Sequence, residues 1–305
     1  MQRNLKDYLI ISFKGLAMGA ADAVPGVSGG TIAFISGIYE ELISSISNVN
    51  GALFKTLFSE GLKAFWKQAN GNFLLALLTG IIISFVSFMK LAKYLLEYHP
   101  VLIWSFFFGL IVASIYFVGK QITKWNLGTI VALIIGAAIA FYISKLPSLG
   151  TNENPWFLFI AGAIAICAMI LPGISGSFIL IILGAYKTLS NAIHDLDVKK
   201  IIIFTGGAVI GLLSFSHVLK WLFKHYHNIT LAVLTGFIFG SLNKVWPWKK
   251  TLSWYTDSKG IEVPLLQESV TPLAFEGANQ MLYAIVLMIF GFLTIFILER
   301  VGSKK

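Results

Sequence analysis

The chain has 305 residues, 57% of them hydrophobic and only 12% charged, about half the charged share of an ordinary soluble domain. That composition excludes a soluble globular protein. The net charge of +9 does not support nucleic-acid binding either, because Lys and Arg gather at the edges of apolar stretches, where they attract anionic lipid headgroups and set topology.

Taken in order, the apolar stretch from Tyr8 is interrupted by Pro25 and followed by many more, which excludes a cleaved signal peptide. Residues 8–24 and 31–47 read as the arms of a helical hairpin joined by Val24-Pro-Gly-Val-Ser-Gly-Gly30. The polar stretch 48–72 places Lys55, Lys63 and Lys67 on one face of an interfacial helix. Spans follow at about 73–96, 101–119 and 127–146, each long enough for a hydrocarbon core of roughly 30 Å. After a polar link, residues 156–171 and 177–193 form a second hairpin, joined by Leu171-Pro-Gly-Ile-Ser-Gly-Ser177. Further spans lie at about 200–223, 229–246 and 280–299, the last preceded by a polar loop, 247–279. The expected fold class is an all-α polytopic membrane protein.

The two parts resemble each other. At an offset of 147, Pro25, Gly26, Ser28, Gly29, Gly37, Tyr39, Leu42 and Ile46 meet identical residues in the second hairpin, and at an offset of 127 Lys93 meets Lys220 and Gly109 meets Gly236. Residues 1–150 and 151–305 therefore read as repeats, each a broken, re-entrant hairpin plus three spans. Three crossings invert the second repeat relative to the first, a recurring transporter plan. Thirteen of the 23 Lys and Arg residues fall inside if the N-terminus does, which favours cytoplasmic N- and C-termini.

Proline ends the first arm of each hairpin, and glycines permit a tight reversal with exposed backbone. Ser28 or Thr31, and Ser175 or Ser177, are positioned to cap the helix that follows. Backbone N–H groups at such a break need partners within a membrane. Helix N-termini offering amides, hydroxyls and a partial positive charge suit an anion, phosphate above all. The candidate binding set is Gly26, Ser28, Gly29, Gly30 and Thr31 with Gly173, Ser175, Gly176 and Ser177, while Pro25 and Pro172 are the helix breaks. The alternative is a pair of packing kinks with close Gly and Ser contacts.

Asp22 lies three residues before Pro25 in an apolar arm, and its counterpart is Met169. Either it couples a proton or cation, or it is a carboxylate locked onto nearby amides. Glu40 and Lys187 occupy matching positions at the hairpin bases, where solvated interfacial roles are expected. Lys90 and Lys93 read as snorkelling residues, and His225 and His227 as interfacial ones. The single cysteine, Cys167, forms no internal disulfide, and with no Cys/His cluster at metal-ligand spacing neither metal nor cofactor is expected.

With Gly19-Ala-Ala-Asp-Ala-Val-Pro-Gly-Val-Ser-Gly-Gly-Thr31 and Leu171-Pro-Gly-Ile-Ser-Gly-Ser177, the sequence resembles the bacterial polyprenyl-phosphate transporter family over nearly its whole length. The resemblance implies return of undecaprenyl phosphate, the lipid carrier of cell-envelope precursors, from the outer to the inner leaflet of the cytoplasmic membrane. Its partners would then be the polyprenyl phosphate and a bilayer holding anionic lipids. Two other classes stay open: a transporter of a small soluble anion, which needs a water-lined path sealed from lipid, and a membrane-embedded lipid-phosphate enzyme. Against the enzyme stands the lack of any His/Asp or Cys/His constellation.

Overall fold

The computed structural model describes residues 3–24, 27–146, 154–256 and 262–303. Helix α1 (Leu5–Asp22) leads to α2 (Gly29–Ile35) and α3 (Tyr39–Ser47). The polar stretch folds into two short helices, α4 (Gly51–Glu60) and α5 (Leu62–Gln68), and the spans become α6 (Gly71–Tyr98), α7 (Pro100–Gly119) and α8 (Leu127–Lys145). The second part follows the same order: α9 (Pro155–Ile170), α10 (Gly176–Ile182), α11 (Tyr186–His194), α12 (Val198–His225), α13 (His227–Gly240) and the short α14 (Leu242–Val245). Strands β1 (Lys249–Thr256) and β2 (Glu262–Ser269) precede α15 (Met281–Ser303).

Among the described residues four helices are long and apolar enough to cross a membrane, or up to six if each bent pair is one span. Large apolar side chains stay exposed on their outer faces, among them Ile82, Val86, Ile134, Ile139, Ile210 and Leu293. In water such a surface would aggregate; hydrocarbon is the solvent it suits. The protein is a multi-pass membrane protein.

Four helix pairs organise the bundle: α1 with α6, α9 with α12, α7 with α15, and α8 with α13. Lipid tails are as apolar as leucine, so close backbone approach and van der Waals contact drive such pairing. A Cβ at Gly80 would collide with the carbonyl of Ser12, one at Gly207 with that of Phe159, one at Gly109 with that of Met288, and one at Gly236 with that of Leu133.

Two expectations need correction. The second arm of each hairpin is not one helix. Gly37 and Gly184 adopt φ of 72° and 70°, and the N–H groups of Ile38 and Ala185 reach back to Ala33 and Leu180, closing identical helix-ending motifs. Helices α10 and α11 diverge by 108° as a result. The loop 247–279, in turn, holds an antiparallel β hairpin, paired from Lys249↔Ser269 to Thr256↔Glu262. Trp246 Nε1 donates to the Val270 carbonyl and Trp248 Nε1 to that of Asn279, both at 2.8 Å, which docks the hairpin on the helices. At the hairpin bases, Glu40 Oε1 lies 3.2 Å from His227 Nε2, linking α3 to α13, and Lys187 is exposed.

Candidate anion site where two broken hairpins meet

The second break follows from its proline. Helix α9 stops at Ile170, and Leu171, directly before Pro172, is extended (φ −67°, ψ 130°), the region that a following proline enforces. Gly173 then turns with φ 85° and lies so close to Phe237 and Ile238 of α13 that no Cβ fits. Helix α1 likewise ends at Asp22. Pro25 and Gly26, the expected break and first glycine of that hairpin, lie outside the described residues.

The two tips touch. Thr31 Oγ1 accepts a hydrogen bond from the Gly173 N–H at 3.0 Å, and Ser28 Oγ donates to the Leu171 carbonyl at 3.2 Å. Gly30 lies against the Ile170 carbonyl, 2.5 Å from where its Cβ would stand. Ser28, Gly29, Gly30, Thr31, Gly173 and Gly176 are buried. The structure thus brings Ser28, Gly30 and Thr31 of the first tip against Ile170, Leu171 and Gly173 of the second.

The tips differ in how their amides are used. At the start of α2, Gly29 N–H donates to Asp22 Oδ1 at 2.7 Å, Gly30 N–H to Ser28 Oγ at 3.2 Å, and Thr31 N–H to the Ser28 carbonyl at 3.0 Å. Ser28 is therefore the cap, and Thr31 serves the opposite tip instead. Neither Ser175 nor Ser177 caps α10, because their hydroxyls bond each other at 2.8 Å. Among the described residues no acceptor meets the N–H groups of Gly176, Ser177 or Phe178. Asp22 supplies an anion at one helix start; Met169, in the matching place, supplies none at the other.

A family model described as "VCA0040-like: Undecaprenyl phosphate translocase-like" matches residues 18–263, a stretch that contains both tips. The chain belongs to this family. It is 47% identical to the polyprenyl-phosphate transporter of Vibrio cholerae serotype O1 over 302 residues, 98% of each chain. With the polyprenyl-phosphate transporter of Staphylococcus aureus it shares 33% identity over 263 residues, 79% of this chain and 88% of the relative. No solved structure matches the chain.

Both relatives carry transporter names. Asp22 bonds a nearby amide, one of the two roles its sequence position leaves open, with Gly29 as the partner; the direct bond between Thr31 and Gly173 is not legible in the sequence. The signal for the first was present: an acid seven residues before the glycine, across a break that exposes amides.

Proposed function

We propose that the protein carries undecaprenyl phosphate from the outer to the inner leaflet of the bacterial cytoplasmic membrane, its headgroup passing between the two hairpin tips. The observation that carries this reading is the contact of Thr31 with Gly173 beside the amides at the start of α10, which meet no acceptor among the described residues. Amides and a partial positive charge at a helix start favour phosphate oxygens. The names of the relatives supply the substrate class.

A lipid fits better than a soluble anion. Between α6, α7 and α15 lies a cavity of about 380 Å³ walled by Phe88, Leu95, Phe106, Phe107 and Leu287, with His99 at its edge. Such walls suit an isoprenoid chain and offer nothing to a hydrated ion.

The two halves act as inverted-topology repeats in this account, with both termini cytoplasmic. Exchanging them maps α1–α6 onto α9–α12 and α8–α13 onto α15–α7, and the glycines at the crossings correspond, Gly80 with Gly207 and Gly109 with Gly236. Asp22 is the coupling group. Protonation weakens it as an acceptor for Gly29 N–H and opens the start of α2 to the phosphate, so proton and headgroup bind together.

Undecaprenyl phosphate should raise the melting temperature of the purified protein while undecaprenol does not. A Ser175→Ala/Ser177→Ala variant should lose most of that shift. Equal stabilisation by the uncharged alcohol would contradict recognition of the phosphate.

A further inference from the structure

Two lysines near the β hairpin lack the acid that usually answers a partly buried cation. Lys244 on α14 and Lys249, first residue of β1, come together where α14 leads into the β hairpin, and the Lys249 ammonium donates to the Lys244 carbonyl at 2.5 Å. Lys249 Nζ stands 3.8 Å from the ring centre of Trp104, and Lys244 Nζ 4.0 Å from that of Phe178. Strand alternation sends the next residue the other way: Lys250 is exposed and pairs with Glu276.

Among the described residues no carboxylate pairs with Lys244 or Lys249. Each ammonium has three donors, and a single carbonyl with two ring faces leaves most of them open. Two like charges away from bulk water repel unless a counter-charge lies between them. Burial, and then the charge of Lys244, draw the Lys249 ammonium well below the usual lysine range; an anion placed between them would reverse that. Phe178 directly follows Ser177, so the pair opens beside the second hairpin tip.

We propose that Lys244 and Lys249, walled by Trp104 and Phe178, form a receiving site for a phosphate monoester headgroup before it reaches the hairpin tips. The inference rests on the lipid-phosphate reading above and adds to it a basis for selectivity. A terminal monoester carries up to two negative charges and three acceptor oxygens, which match two ammonium groups. The diester headgroups of bulk phospholipids carry one charge on the phosphate and leave one cation unanswered.

The test uses the full chain in nanodiscs of zwitterionic lipid. Binding of undecaprenyl phosphate, undecaprenol and inorganic phosphate is measured separately by the change in tryptophan fluorescence. Lys244→Gln and Lys249→Gln should each weaken undecaprenyl phosphate binding by about ten-fold or more, the loss expected when charge-assisted hydrogen bonds to the phosphate go. Lys249→Arg should retain most of the affinity, and Lys250→Gln, at the outward-facing neighbour, should match the wild type. Where a Gln variant lowers thermal stability, Lys244→Met and Lys249→Met keep the stems on the rings and should show the same loss.

Unchanged affinity in both neutral variants overturns the proposal. Inorganic phosphate that binds as tightly as the lipid and displaces it assigns the pair to free phosphate and overturns the lipid assignment. A wild-type protein that binds no undecaprenyl phosphate overturns the translocation reading itself, a result distinct from either of these.

Discussion

The Asp22 carboxylate accepts a hydrogen bond from the backbone N–H of Gly29 at 2.7 Å, across the break between α1 and α2. The protein's own carboxyl group thus occupies one of the two helix starts that meet at the tips. The other start lacks one, since Met169 stands in the matching place. The bond serves either as a static lock on the Gly29 amide or, in the proposed account, as a group that yields the amide to a phosphate when it takes up a proton.

Asp22→Asn should keep a neutral acceptor for Gly29 and lower stability by only about 1 kcal/mol, while Asp22→Ala strands the amide at a cost of about 1–3 kcal/mol. Both are read by thermal unfolding. In liposomes, Asp22→Asn should lose the response of transport to an imposed pH gradient. An undiminished response in a stable variant would remove Asp22 from coupling.

Thr31→Val deletes the acceptor for Gly173 N–H with little change of shape. It should destabilise the protein by about 1–3 kcal/mol and slow transport, and Thr31→Ser should restore both. Melting temperature and flux measured on the same preparation check this.

Gly37 and Gly173 share a left-handed backbone but differ in their surroundings. Nothing lies within 4 Å of a Cβ at Gly37, whereas one at Gly173 would lie 2.8 Å from the Phe237 carbonyl oxygen. Gly37→Ala should therefore cost only the backbone term, about 1–2 kcal/mol. Gly173→Ala adds overpacking of about 1–3 kcal/mol. Equal melting temperatures for the two variants would show that the tip is looser than this packing implies.

The spans and first breaks were legible because proline stops a helix wherever it stands, and because runs such as 101–119 are too long and apolar for anything but a membrane. The second break of each hairpin was not. A lone glycine in an apolar run is common in membrane helices, and only the recurrence of Gly37-Ile-Tyr39 as Gly184-Ala-Tyr186 hinted at a shared turn. In the loop 247–279, Pro264 and Pro272 argued against strands, and in Lys249–Thr256 only Leu252 and Trp254 alternate with polar residues before Tyr255 breaks the pattern. At the site, the motif residues were readable as helix starts. The contact across the tips was not, because Thr31 meets the Gly173 amide from a segment 142 residues away in sequence.

If the two halves are inverted repeats, as proposed, the α4–α5 segment and the β hairpin lie on opposite faces of the membrane. Single cysteines replacing Lys55 and Ser253, each in a Cys167→Ser background, should react with an impermeant thiol reagent from opposite sides of sealed vesicles. Labelling from one side alone would contradict the inversion.

The most direct test of translocation is the rate at which undecaprenyl phosphate moves between leaflets of liposomes containing the purified protein. The account predicts rapid exchange in the presence of the wild-type chain, slow exchange in protein-free vesicles and in vesicles holding Thr31→Val, and no acceleration of undecaprenol. Exchange of undecaprenyl phosphate no faster with the wild-type protein than without it would contradict the account.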